Sequence, residues 1–151
     1  MELIVAVGLF SFIMMLTSGA YLIMIGLTER AQDTSTGINN LSFALETMTR
    51  TIRTGTGYSS CSGCTIFTVL DSDGHPVSFS FSSGAITKNG IPLTDSSVNV
   101  SPNDSKFYVS GAGSGDATQS RVTIIVSGTV NGKIPQTFTV ETGATMRLLD
   151  L

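Results

Sequence analysis

The chain has no tryptophan, one histidine and two cysteines in 151 residues, and only 13% of it is charged. Each scarcity excludes something. His75, next to Pro76, is the only histidine, so neither a Ser-His-Asp arrangement nor a histidine-rich metal centre can be argued. Cys61 and Cys64 are too few for a fold built on a disulfide framework. Lysine and arginine never form a run, and a net charge of −3 with a pI near 4.9 argues against a nucleic-acid-binding surface. No glycine-rich phosphate loop is present. The chain shows no pattern of an active site and calls for no cofactor or metal, so an enzyme is not expected.

What is there is unevenly spread apolarity. Residues 1–27 hold one charge, Glu2, and no proline, whereas the chain beyond Thr28 is rich in serine, threonine and glycine. As a helix the first segment spans roughly 40 Å at about 1.5 Å per residue, enough for a ~30 Å hydrocarbon core. A secretory signal peptide opens on basic residues, and this segment opens on an acidic one. A buried core helix fails as well, because the remaining chain is too small and polar to cover a helix apolar on every side. The segment is expected to insert in a membrane.

The helical pattern resumes after Glu29, Arg30 and Asp33. Ile38, Leu41, Leu45, Met48 and Ile52 follow a 3, 4, 3, 4 spacing, one apolar stripe on a single face. Asn39, Ser42, Glu46, Thr49, Arg50 and Arg53 lie opposite. No proline interrupts residues 1–55, and Gly55 with Gly57 supplies a stop signal. One helix of about 50 residues is expected, locally frayed at Ser18-Gly19 and at Thr34-Ser35-Thr36-Gly37; the alternative is two helices hinged near 33–37.

Beyond Gly57 the period changes to two. Cys64–Leu70 alternates, Asp71-Ser72-Asp73-Gly74 turns, and Val77, Phe79 and Phe81 alternate with Ser78, Ser80 and Ser82, a hairpin with one apolar and one hydroxyl face. Residues 85–87 and 91–93 flank Lys88-Asn89-Gly90, a tight-turn signal. Strands are also expected at 106–110, 121–130 and 136–142, the last two joined by Asn131-Gly132-Lys133. Pro102-Asn103-Asp104 and residues 111–115 read as loops. Short connections without a second helix predict an antiparallel sheet, covered by the Ile38–Ile52 stripe. The fold class is therefore α+β, divided into an apolar helix half (1–27), an amphipathic half (28–56) and a β head (57–151).

Asp71-Ser-Asp-Gly could open a calcium loop but lacks the distant bidentate glutamate, so a hairpin turn is expected. Cys61-Ser-Gly-Cys64 follows a helix and precedes a strand, the wrong place for a redox motif. A disulfide pinning the loop, a pair of free thiols and a metal-ligand pair all stay open, the first favoured if the head lies outside the cytoplasm. Asn40, Asn99 and Asn103 each open an N-x-[ST] sequence, a pattern common by chance.

Glu2-Leu3-Ile4-Val5, followed by Ala6-Val7-Gly8-Leu9-Phe10 and an amphipathic continuation under a sheet, resembles type IV pilins and pseudopilins. The stretch from Asn40 to Thr56 resembles pilin-like proteins of small-genome bacteria. The resemblance implies a structural subunit that polymerises through Glu2, Leu3, Ile4 and Phe10 into a helical homopolymer. It also implies residence in the inner membrane before assembly, an assembly machinery as partner, and an extracellular fibre serving adhesion, motility or DNA uptake. Glu2 is then expected to pair with the terminal amine of a neighbouring subunit, because an unpaired carboxylate in hydrocarbon costs about 2.5–3.5 kcal/mol. Low-copy minor pilins and secretion pseudopilins share these features, and a single-pass anchor for a binding module gives Glu2 no role. Pilin precursors carry a basic leader ending in glycine, with a few residues between the cut and the glutamate. Here Met1 directly precedes Glu2, so the chain is expected to begin inside the mature N-terminus.

Overall fold

The computed structural model describes residues 2–112 and 119–147. Met1 and residues 113–115 of the expected loop lie outside them. The first element, α1 (Glu2–Thr54), is one helix of 53 residues, about 80 Å long at 1.5 Å per residue. It neither frays nor hinges in the middle. Thr36 returns its hydroxyl to the Gln32 carbonyl at 3.0 Å, and the head holds Asp33 and Gly37 in place. The stop falls where the paired glycines put it: the Gly55 N–H donates to the Thr51 carbonyl at 3.0 Å, and Gly57 turns the chain at φ +62°.

Nine strands follow among the described residues: β1 (Ser62–Cys64), β2 (Ile66–Leu70), β3 (Pro76–Ser82), β4 (Ala85–Lys88), β5 (Ile91–Pro92), β6 (Val98–Val100), β7 (Lys106–Ser110), β8 (Arg121–Val130) and β9 (Gln136–Thr145). They form two antiparallel sheets, where the alternation alone suggested one. β2-β3-β4-β5 is a meander, with Phe67 opposite Phe79 and Thr68 opposite Ser78, the expected apolar and hydroxyl faces. Asn89 and Gly90 carry φ of 52° and 81°, the paired left-handed conformations of a tight turn. The second sheet is built on β8. One of its edges pairs with β9 throughout, while the other is shared by β7 and β6, and β1 adds to β7. The expected Cys64–Leu70 strand is thus two, because the chain changes sheets at Thr65.

The helix lies against β6, β8 and β9. The meander closes the other side of the core, where Phe81 stacks on Phe107 with ring centroids 4.5 Å apart and Phe67 sits 5.7 Å from both Phe107 and Tyr58. Toward the β8–β9 turn the outward face of these two strands is a lattice of hydroxyls in which Thr129 stands opposite Thr137 and Ser127 opposite Thr139, and beyond it Ile125 faces Glu141. The Ser127 and Thr139 hydroxyls are 3.0 Å apart.

The stripe on the helix needs one correction. Gly37, Leu41, Ala44, Met48 and Ile52 are buried, whereas Ile38 is 53% exposed and Leu45 sits half-buried at the core margin. The head seats on the side of the helix where Gly37 offers no side chain, which turns the buried line away from Ile38.

Candidate assembly surface

The head covers only the second half of α1. The first half is long and apolar enough to cross a membrane, and its apolar stretch has none of its residues buried by the rest of the chain. Leu3, Ile4 and Phe10 are 80%, 77% and 60% exposed. Leu3 and Phe10, seven residues apart, share a face of the helix, with Glu2 and Ile4 to either side. The four residues therefore ring the helix end instead of converging on one point. Glu2 occupies the first turn, where a carboxylate also favours the positive end of the helix dipole. It has no ion-pair or hydrogen-bond partner among the described residues.

Two hydroxyls within this half are satisfied internally. The Thr17 hydroxyl donates to the Ile13 carbonyl at 3.0 Å and that of Thr28 to Met24 at 2.9 Å, leaving both without need of water.

A feature missed in the sequence reading is a line of glycines. Gly8, Gly19, Gly26 and Gly37 are spaced 11, 7 and 11 residues apart. At 100° per residue those steps return to nearly the same face, the one that carries the head. An added Cβ at Gly37 would meet a Val130 methyl at 2.5 Å, whereas at Gly8, Gly19 and Gly26 nothing lies within 4 Å. Glycine inside a helix costs roughly 0.5–1 kcal/mol relative to alanine. Packing within the chain explains that cost at Gly37 and leaves it unexplained at the other three. The 11-7-11 spacing was the signal that could have found them.

Hydrogen bonds along its length fix the head on the helix. Lys133, in the β8–β9 turn, donates through Nζ to Glu29 at 3.1 Å and through its backbone N–H to Asp33 at 3.3 Å. Higher up, Asn40 reaches Ser97 at 3.4 Å. At the top, the Tyr58 hydroxyl donates to the Ile52 carbonyl, satisfying one of the last acceptors of the helix. Burial pushes the Tyr58 phenol up to about 12.

Cys61 and Cys64 are joined as a disulfide, with Cα atoms 5.9 Å apart, within the usual range. The bond closes a ring around β1, where Gly63 takes φ +76°. Asp71, Asp73 and His75 bring ligand atoms within 4.8 Å of one another at the β2–β3 turn. Asp71 there accepts the backbone N–H groups of His75 and Asp73, each at 2.9 Å. Those bonds, led by that from His75, hold its carboxyl below the usual range, and the cluster acts as the turn that the sequence suggested. No protein-family model, curated protein or solved structure matches the chain.

Proposed function

We propose that this chain is a structural subunit of a type IV pilus-like extracellular filament. It would sit in the inner membrane through the first half of α1 and then polymerise by packing that half among copies of itself. One observation carries the reading: an apolar helix half with a single carboxylate at its start, which none of the described residues covers. Lipid suits such a surface before assembly, and neighbouring helices suit it after. The open glycines support helix packing, since small residues let helix backbones approach closely where lipid surrounds them. Glu2 would then find a neighbour's terminal amine as it leaves the bilayer, which offsets the cost of its burial.

Electron microscopy of surface fibres, with mass spectrometry of the sheared material, tests the proposal. A fibre made mainly of this chain supports the homopolymer. A trace amount in fibres built of another protein points to the second reading, a minor pilin or secretion pseudopilin, which shares the helix and Glu2. Chains that stay singly anchored with no fibre anywhere would overturn both.

A further inference from the structure

Beyond its helix, the head carries an interaction surface along the seam between α1 and the edge strand β9. β9 is ten residues long and, among the described residues, pairs only with β8. The Met146 N–H turns toward β8 and donates to Ser120, while the next N–H, of Arg147, turns the other way and donates to Arg53. Because successive residues of a strand alternate in this respect, Thr137, Thr139, Glu141, Gly143 and Thr145 direct their N–H and C=O groups to the open edge. No backbone partner meets them among the described residues. The edge is lightly guarded: β9 contains no lysine and no proline, and Glu141 is its one charge.

Beside this edge the core is incompletely covered. Phe138, Val140 and Leu45 are half-buried, while Ile38 and Ile134 are 53% and 44% exposed. Two depressions mark the ends of the seam. One, about 300 Å³, lies between Ile38 on the helix and Ile134 and Phe138. The other, about 630 Å³, is lined by Arg50, Arg53 and Arg147 together with Thr145 and one carboxylate, Glu46, so that its charge is positive on balance. Those three arginines have no carboxylate within 4 Å among the described residues, in a chain with only 8 basic residues.

We infer that the seam binds an acidic peptide in extended form, added as a further strand antiparallel to β9. Each part of the surface specifies one property of the ligand. Free backbone groups call for an extended chain. The half-covered groove calls for apolar side chains at alternate positions, those that would face the helix. The excess of arginine over carboxylate calls for carboxylates on the ligand. Direction follows from the pairing: β9 runs from the Ile134 end toward Arg147, so an antiparallel partner starts at the arginines and carries its acidic residues at its N-terminal end.

The test uses the full chain in detergent micelles and a fluorescein-labelled ten-residue peptide, two aspartates followed by alternating valine and threonine. Saturable binding is expected, weakened at least tenfold when the aspartates are moved to the C-terminal end. Thr139→Pro removes one outward N–H and no backbone bond to β8, only the hydroxyl contact with Ser127, and should weaken binding at least tenfold with the fold retained by circular dichroism. Arg50→Gln with Arg147→Gln should do the same, and serves if the proline variant misfolds. Absence of binding, or binding indifferent to these changes, would overturn the inference. So would concentration-dependent pairing of the chain with itself that Thr139→Pro abolishes, since the seam would then belong to a second copy. None of these readouts depends on filament growth, so the proposed function can fail without it.

Discussion

Gly37 on the helix lies against Val130 at the end of β8 so closely that no side chain fits between them, an added Cβ falling 2.5 Å from a Val130 methyl. The usual effect of Gly→Ala in a helix therefore reverses here. We expect Gly37→Ala to destabilise the head by about 1–3 kcal/mol through overpacking, where an unobstructed helical site would gain roughly 0.5–1 kcal/mol. Denaturant unfolding of residues 28–151, which keep Glu29 and Asp33 for Lys133, measures the difference. A variant as stable as the parent means the helix and β8 can move apart freely.

The open glycines behave oppositely. Gly8→Val, Gly19→Val and Gly26→Val should leave the melting temperature of the head unchanged and lower fibre yield, because their cost falls on contacts between copies. Quantitative blotting of sheared fibres reads this, and full yield from all three would remove the glycine line from the assembly argument.

Glu2→Gln and Glu2→Ala should still insert in the membrane while filament growth stops or slows severely. Membrane fractionation and fibre counts together separate the two effects. Normal fibres from either variant end the pairing role of Glu2.

Truncations along the helix should follow burial and not the sequence stripe. Met48→Ala is expected to cost about 2–5 kcal/mol, as for a buried large side chain. Leu45→Ala should cost less and Ile38→Ala least, under about 0.5 kcal/mol as for an exposed site. Equal losses at Ile38 and Met48 in urea unfolding would contradict the seating of the head.

Tyr58 sets an alkaline limit. Its phenol is pushed from 10.0 to about 12 by burial, so between those values the unfolded chain has lost a proton that the folded chain keeps. Stability contributed by the neutral phenol is complete below pH 10 and is lost as pH rises through 12. Tyr58→Phe should flatten that slope and cost about 0.5–1.5 kcal/mol at neutral pH, the value of its bond to the Ile52 carbonyl. Unfolding curves from pH 8 to 12 for both proteins decide the matter.

Much of this architecture was legible in the residues. The helix span, the Gly55 stop, the Asn89-Gly90 turn and strands β3, β7 and β8 follow from period, turn chemistry and the lack of early proline. Ile38 misled because apolar spacing marks a face only to within the width of one side chain. Gly37 and Ala44, which carry no pattern of their own, decided where on that face the head would sit. β6 is three residues long, Val-Asn-Val, too short for alternation to stand out. The division into two sheets depends on partners far apart in sequence, Cys64 with Phe107 and Ile66 with Ser80, which local periodicity does not encode. On the assembly surface, Glu2 and the apolar run were plain from composition, while the 11-7-11 glycine spacing acquires its meaning as one face only along an unbroken helix.

The hydroxyl lattice on β8 and β9 bears on how such heads behave in a crowd. With so little charge on the chain, the head keeps its water through neutral donors and acceptors, and like-charge repulsion between heads is weak. Dissolved salt then has little to screen. Fibres bearing these heads should gather into lateral bundles to much the same extent in dilute and in concentrated brine, and light scattering across that range would show a nearly level trace.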